Sequence, residues 1–305
     1  MAESYAQALV LTAPQGALDE ALTRDIEAML SDTSVLQTWW LAPAEAWEVI
    51  FVASEDDDLA PLIARVRTHI GKRPIDANIV SAELHFRRKK LLIADMDSTM
   101  IEQECIDELA AHAGLKDHVA AITERAMRGE IAFEPALRER VGLLKGLPVT
   151  VIDDVLRERI TLMPGAKTLL STMRASGAHT CLVSGGFTAF VERVAKDLGY
   201  HESHSNVLGV TDAKLDGSVK EPILGREAKL ATLIALRNTL HIAKPETLAV
   251  GDGANDLAML GEAGLGVAYR AKPAVAAAAH ARIEHADLTA LLYLQGYKKD
   301  EFATA

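Results

Sequence analysis

The sequence predicts an α/β protein in which a doubly wound parallel sheet carries an inserted helical cap and follows a small ferredoxin-like α+β domain. Three observations predict it. Short apolar runs without alternation, Leu91–Ala94, His179–Val183, Leu248–Val250 and Leu265–Tyr269, read as strands buried on both faces. Helical segments with one apolar face alternate with those runs, which implies right-handed crossovers. The first 84 residues show a different rhythm, β-α-β-β-α-β, the ferredoxin-like order.

Within residues 1–84, Ala6–Thr12 reads as a strand and Pro14-Gln15-Gly16 as a turn. Leu18, Leu22, Ile26, Met29 and Leu30 then fall at helical spacing. Two β-rich stretches follow, near Val35–Leu41 and Ala46–Ala53, joined by a Pro-containing turn. Leu62, Ile63, Val66 and Ile70 share a helix face within Leu59–Ile70, and Ala77–Ala82 makes a last strand. The basic stretch Arg87-Arg88-Lys89-Lys90 marks the join to a second domain, 85–305.

In that second domain Ala166, Leu169, Leu170 and Met173 share one helix face that ends at Gly177. Phe187, Phe190, Val191, Val194 and Leu198 share another that ends at Gly199. One crossover is far too long. Roughly 65 mostly helical, charged residues separate Asp95 from Pro164-Gly165, where about a dozen suffice. The excess is read as a helical cap at about 102–163. Further on, Leu208–Thr211, a turn at Leu215-Asp216-Gly217 and Ser218-Val219 read as a small hairpin, because Asp-Gly favours turns.

Composition narrows the function. Lys and Arg total 32 against 43 Asp and Glu, a formal charge of −11. That balance argues against nucleic-acid binding, which wants a basic face, but not against a small anionic substrate in a local field. No apolar run approaches the length of a membrane span, and the N-terminus lacks a secretory pattern, so no membrane partner and a cytoplasmic location are expected. Cys105 and Cys181 have neither disulfide nor metal-ligand spacing.

In open α/β sheets ligands bind beyond the carboxyl ends of the strands. Three strands end in Asp95-Met96-Asp97-Ser98-Thr99, Ser184-Gly185-Gly186 and Gly251-Asp252-Gly253-Ala254-Asn255-Asp256. Asp95, Asp97, Asp252 and Asp256 gathered at one point would repel each other without a cation, and hard oxygen ligands select Mg2+ or a similar ion. Lys229, at the start of a later helix, can add a fixed positive charge.

Asp-x-Asp-x-Thr, a later Ser after a strand, a Lys and Gly-Asp-Gly-x-Asn-Asp together resemble the four-part signature of the haloacid dehalogenase superfamily. Asp95–Asp107, Phe133 with Leu137–Lys145, and Ser184–Phe187 are similar to its phosphoserine phosphatase branch, over about residues 85–295. The resemblance implies hydrolysis of O-phospho-L-serine to L-serine and phosphate, the last step of serine biosynthesis. It implies Asp95 as nucleophile and Asp97 as general acid and base. It implies Mg2+ held by the Asp95 carboxylate, the Asp97 backbone carbonyl and the Asp252 carboxylate. Ser184, the Gly185 N–H, Lys229 and Asn255 are expected on the phosphate, with Asp256 orienting Lys229 or the metal's waters. Glu104 and Arg140 are expected on the substrate ammonium and carboxylate, and Phe133 and Met127 on its apolar side.

Rival readings are a phosphatase for another small ester, a phosphotransferase to a hydroxyl acceptor, and a non-catalytic amino-acid sensor. His201 and His204 read as a solvated loop rather than a metal pair, Cys105 as a buried cap residue, and Trp39-Trp40 as packing or an interface. The N-terminal unit is similar to ACT-type regulatory domains, which often pair between subunits. Its short Pro14-Gln15-Gly16 turn differs from their glycine-rich one. A dimerising or regulatory module is expected there, giving a homodimer.

Overall fold

The computed structural model describes residues 4–54 and 56–304. The N-terminal unit runs β1 (Ser4–Thr12), α1 (Glu20–Ala28), β2 (Ser34–Ala42), β3 (Ala46–Ser54), α2 (Ala60–Ile70) and β4 (Asp76–Ser81). Its four strands form one antiparallel sheet in the order β2-β3-β1-β4. Asp19 starts α1, its Oδ1 accepting the Leu22 N–H at 2.8 Å.

Both faces of this sheet are covered. Leu9, Leu11, Phe51, Leu22, Ile26 and Val66 form a core between the sheet and its two helices. Ala8, Val10, Ala42, Ala46 and Val80, facing the other way, share a core with Leu291 and Tyr293 near the C-terminus. Polar bonds reinforce the seam. The Asp76 carboxylate accepts backbone N–H groups of Glu284, His285 and Ala286 at 2.8, 3.1 and 3.0 Å. The Asn78 amide bonds both the N–H and the C=O of Arg282, each at 2.9 Å. Buried Glu48 receives the Arg87 guanidinium and the Trp39 indole N–H, so Trp39 serves packing at this seam.

The second unit follows a short α3 (Leu84–Arg87). It begins β5 (Leu91–Ala94), then the cap helices α4 (Cys105–His112), α5 (Lys116–Met127), α6 (Phe133–Leu143) and α7 (Thr150–Glu158). Then come α8 (Ala166–Ala175), β6 (His179–Phe187), α9 (Thr188–Leu198), β7 (Glu202–Asn206), β8 (Leu208–Thr211), β9 (Lys214–Val219) and α10 (Arg226–Thr239). The chain ends with β10 (Thr247–Gly251), α11 (Leu257–Glu262), β11 (Leu265–Tyr269), α12 (Pro273–Ala278), β12 (Ala281–Ile283) and α13 (Ala290–Leu294).

Six parallel strands pair in the order β12-β11-β10-β5-β6-β7. From β5 the chain winds outward to β6 and β7, then returns to the other side through β10. The order therefore reverses at β5, and the crevice beyond its tip is where such sheets bind ligands. The cap leaves β5 and returns to α8 through a narrow stem. There Ile101 bridges Leu162, and the Met163 N–H donates to the Met100 carbonyl at 2.9 Å.

Two local expectations are corrected. The hairpin turns at Asp212-Ala213, both left-handed (φ 50° and 57°), with Thr211 paired to Lys214. Two left-handed residues match the strand twist, whereas Asp216-Gly217 lies inside β9, where pairing is irregular and the Asp216 carboxylate takes the Ser218 N–H at 2.8 Å. His204 lies on a strand, not a loop. The segment Glu202–Asn206 is too polar to announce itself, and pairing with β6 makes it the sheet edge. No helix among the described residues is long and apolar enough to cross a membrane.

Candidate active site

Asp95 directly follows β5, and its Oδ1 accepts the Met96 N–H at 2.7 Å. Lys229, in the first turn of α10, is wholly buried. Its Nζ lies 2.6 Å from Asp95 Oδ2 and 2.7 Å from Asp256 Oδ1. The other Asp256 oxygen accepts the Gly253 N–H at 3.1 Å. Lys214 and Lys220, its neighbours in sequence, are both exposed. Asp252 follows β10, with the Thr99 hydroxyl 3.5 Å from its Oδ1. Carboxylate oxygens of Asp95, Asp252 and Asp256 all lie within 4.8 Å of one another.

Charge in this cluster is unbalanced. Burial, then Asp256 and Asp95, pushes the Asp252 carboxyl well above the usual range. Burial and then Asp95 raise Asp256 to about 7, against the pull of Lys229. Burial disfavours the Lys229 ammonium, but Asp256 and Asp95 outweigh it and hold the proton more tightly than usual. Three carboxylates against one ammonium leave negative charge that a divalent cation would offset, and the all-oxygen donors suit a hard ion. The cluster fits a divalent metal. Asp97 does not join it through its carboxylate, which instead accepts the Cys105 N–H at 3.0 Å. Burial lifts Asp97 to about 6, with Asp95 adding to the rise.

The cap supplies the other wall. A cavity of about 30 Å³ is lined by Asp95, Asp97, Glu104, Met127, Phe133, Arg140, Gly185 and Asn255, among others. Glu104 immediately precedes α4, and its carboxylate accepts the Ser98 hydroxyl at 2.7 Å. Burial, then Asp97, pushes its carboxyl well up. Arg140 is buried on α6. Its Nε donates to the Ala136 carbonyl at 3.1 Å and its Nη1 to the Thr123 hydroxyl at 2.9 Å. Thr123 donates in turn to Asp107 at 2.7 Å. Thr123 was not singled out in the sequence, because only the packing of α5 against α6 brings it to Arg140.

Close approach explains two glycines. A Cβ on Gly185 would sit 2.6 Å from the Phe133 ring, and one on Gly253 would sit 2.6 Å from the Met127 sulfur. Both apolar cap residues therefore rest directly on the end of β6 and the loop that follows β10. Ser184 is buried, and its hydroxyl accepts the Gly186 N–H at 2.8 Å. The Gly185 carbonyl is held by the Asn206 amide at 2.8 Å, a residue sequence reasoning missed because only the β6–β7 pairing brings it near. The Asn255 Oδ1 is buried with no hydrogen-bond partner among the described residues. Cys105 is buried, and burial, then Asp97, pushes its thiol well up, as suits a packing residue.

A family model described as haloacid dehalogenase-like hydrolase matches residues 92–261, which include every residue of this cluster. The chain belongs to that family. Among the haloacid dehalogenase-like hydrolases it is 41% identical over 245 residues to a phosphoserine phosphatase of Streptomyces coelicolor. That match covers 80% of this chain and 60% of that protein, so the chain spans about three fifths of its length. A solved phosphoserine phosphatase with an analogue of a phospho-aspartyl intermediate is similar at TM-score 0.65 and 39% identity, covering 68% of this chain and 98% of its own. A haloacid dehalogenase family hydrolase of Salmonella enterica serovar Typhi is similar over 97% of this chain and 99% of its own, at TM-score 0.80 and 30% identity. That likeness takes in the N-terminal unit as well.

The charge imbalance is open to test by thermal unfolding. Magnesium is expected to raise the melting temperature. Asp252→Asn, which removes one repelling charge, is expected to melt about 2–4 °C higher than wild type without metal, for about 1 kcal/mol. The same variant should lose most of the magnesium-induced rise. A variant no more stable without metal, yet equally stabilised by it, would contradict this account.

Proposed function

We propose that the protein hydrolyses O-phospho-L-serine to L-serine and phosphate, with Mg2+ at the carboxylate cluster. One observation carries the reading: a single small cavity is lined by the buried nucleophile candidate Asp95, the raised carboxyl of Asp97, and an acid–arginine pair, Glu104 and Arg140. A phosphate ester that also bears an ammonium and a carboxylate has a partner for each of its charges there.

Asp95 attacks phosphorus, forming its acyl-phosphate bond as the bond from phosphorus to the serine oxygen breaks. Asp97, raised to about 6, gives its proton to the departing oxygen. It then takes a proton from the water that attacks phosphorus and frees Asp95. Lys229, pinned between Asp95 and Asp256, holds positive charge against the transferring group. The carboxylates of Asp95 and Asp252 with the Asp97 carbonyl would hold Mg2+, which would supply charge neutralisation for the transferring phosphoryl group. Ser184, the Gly185 N–H and the Asn255 side-chain N–H donate to the phosphate, while the unpartnered Asn255 Oδ1, an acceptor, is left for a donor such as a water of the filled site. Glu104 takes the ammonium, Arg140 the carboxylate, and Phe133 and Met127 close the apolar side.

The cavity is far smaller than the substrate, since about 10–15 Å³ on this measure holds one water. Phosphoserine therefore enters by movement of the cap, which puts Phe133 and Met127 among the contacts that break and reform.

Two experiments divide the reading. Arg140→Ala and Glu104→Gln are expected to cut kcat/KM for phosphoserine at least about 100-fold, because each leaves a substrate charge unpaired in a closed site. Turnover of a phosphate ester without the amino-acid head should change far less, and equal losses on both would sink the substrate assignment. Asp97→Asn is expected to slow phosphoserine by about 100–10,000-fold. An aryl phosphate, whose leaving group needs no proton, should lose much less in its first step, measured as the burst of released phenol. Matching losses would remove Asp97 from the acid role.

The same proposal assigns the N-terminal unit to pairing of two copies through β2, the outer strand of its sheet, where Leu36 is 61% exposed and Val35 is also exposed. Sedimentation velocity is expected to show a dimer that Leu36→Lys converts to monomer. A monomeric wild-type protein would refute it.

A further inference from the structure

A second group of ligating side chains lies at the far edge of the parallel sheet, away from the carboxylate cluster. Cys181 on β6 pairs in register with Glu202 on β7, and Val183 pairs with His204. Because side chains alternate along a strand, Cys181, Glu202 and His204 share one face of this two-strand edge, with His179 two residues before Cys181. The Cys181 sulfur, a Glu202 oxygen and a His204 nitrogen all lie within 4.8 Å of one another.

The surroundings are those of a supported site. Glu202 is held from both sides, by His179 Nε2 at 2.5 Å and by His204 Nε2 at 3.2 Å. His179 is itself fixed, its ring stacked on His201 with centroids 4.8 Å apart. His201 is occupied, since its Nδ1 accepts the Thr180 N–H at 3.1 Å, which removes it from the ligand set and explains why no His201–His204 pair forms. The Tyr200 hydroxyl is buried with no hydrogen-bond partner among the described residues.

We propose that Cys181, Glu202 and His204 bind a borderline-soft divalent transition metal of the zinc class, with water in the fourth position. Sulfur, imidazole and one carboxylate match the donors such ions prefer, while Mg2+ prefers the all-oxygen cluster at the other site. Binding removes the thiol proton to solvent, and the metal's charge outweighs the burial that otherwise keeps Cys181 protonated. His179 orients the carboxylate from outside the coordination sphere. The bound ion joins the edge strand β7 to β6, which runs on into Ser184–Gly186, so occupancy would stiffen the phosphate-side loop from behind.

Cobalt(II) is the probe, because only a thiolate ligand gives a near-ultraviolet sulfur-to-cobalt charge-transfer band and the carboxylate cluster holds no sulfur. The full-length protein, saturated with Mg2+, is titrated with Co2+. One equivalent is expected to develop the band, and Zn2+ is expected to abolish it by displacement. Cys181→Ser should lose the band and Cys105→Ser should keep it. His204→Gln, a change at the exposed edge that spares the core, should weaken Co2+ binding at least about tenfold. No band in the wild type, a band that survives Cys181→Ser, or unchanged affinity in His204→Gln would each overturn the proposal.

Discussion

The ammonium of Lys229 between Asp95 and Asp256 is the interaction on which the active site depends. A lysine with no exposed surface carries a large desolvation cost, and only two carboxylates in direct contact offset it. Those carboxylates come from different strand tips, so the pair holds α10, β5 and the loop after β10 in one arrangement. Asp256 is anchored again by the Gly253 N–H, which makes it the positioning group and leaves Asp95 facing the cavity. The same crowding that lifts Asp252 and Asp256 draws a cation to the site. Repulsion among acids is thus the source of affinity for metal.

The cap solves a different problem. Phosphate chemistry asks for exclusion of bulk water, and specificity asks for charged groups that water would screen. Both are met by lowering α5 and α6 onto glycines. Phe133 and Met127 reach the loop backbones because Gly185 and Gly253 have no side chain in the way. Arg140 is meanwhile braced by Thr123, itself bonded to Asp107, which fixes the guanidinium beside the cavity.

The N-terminal unit is bound into the molecule more tightly than a tethered regulatory domain would be. One face of its sheet shares the core of the catalytic unit, and Asp76, Asn78 and Glu48 satisfy backbone and guanidinium groups across the seam. Ser81, at the end of β4, and Leu91, at the start of β5, are joined only through the short α3.

Much of this was legible in the amino-acid order. Unbroken apolar runs mark strands buried on both faces, and at the ends of three of them stand residues that make no sense as core: Asp95, Ser184 and Asp252. The order of those motifs, with Lys229 between the second and third, carried the site and the family together. Even the covered second face of the N-terminal sheet left a trace, since Ala8-Leu9-Val10-Leu11 does not alternate. What the sequence could not decide is whatever depends on a partner distant along the chain. β7 is polar and becomes a strand only by pairing with β6. The hairpin turn falls at Asp212-Ala213 because backbone twist outranks the Asp-Gly signal. The brace behind Arg140 and the Cys181–Glu202–His204 group exist only in three dimensions, because hydrogen bonding and coordination depend on distance in space, which sequence spacing determines only within a single element.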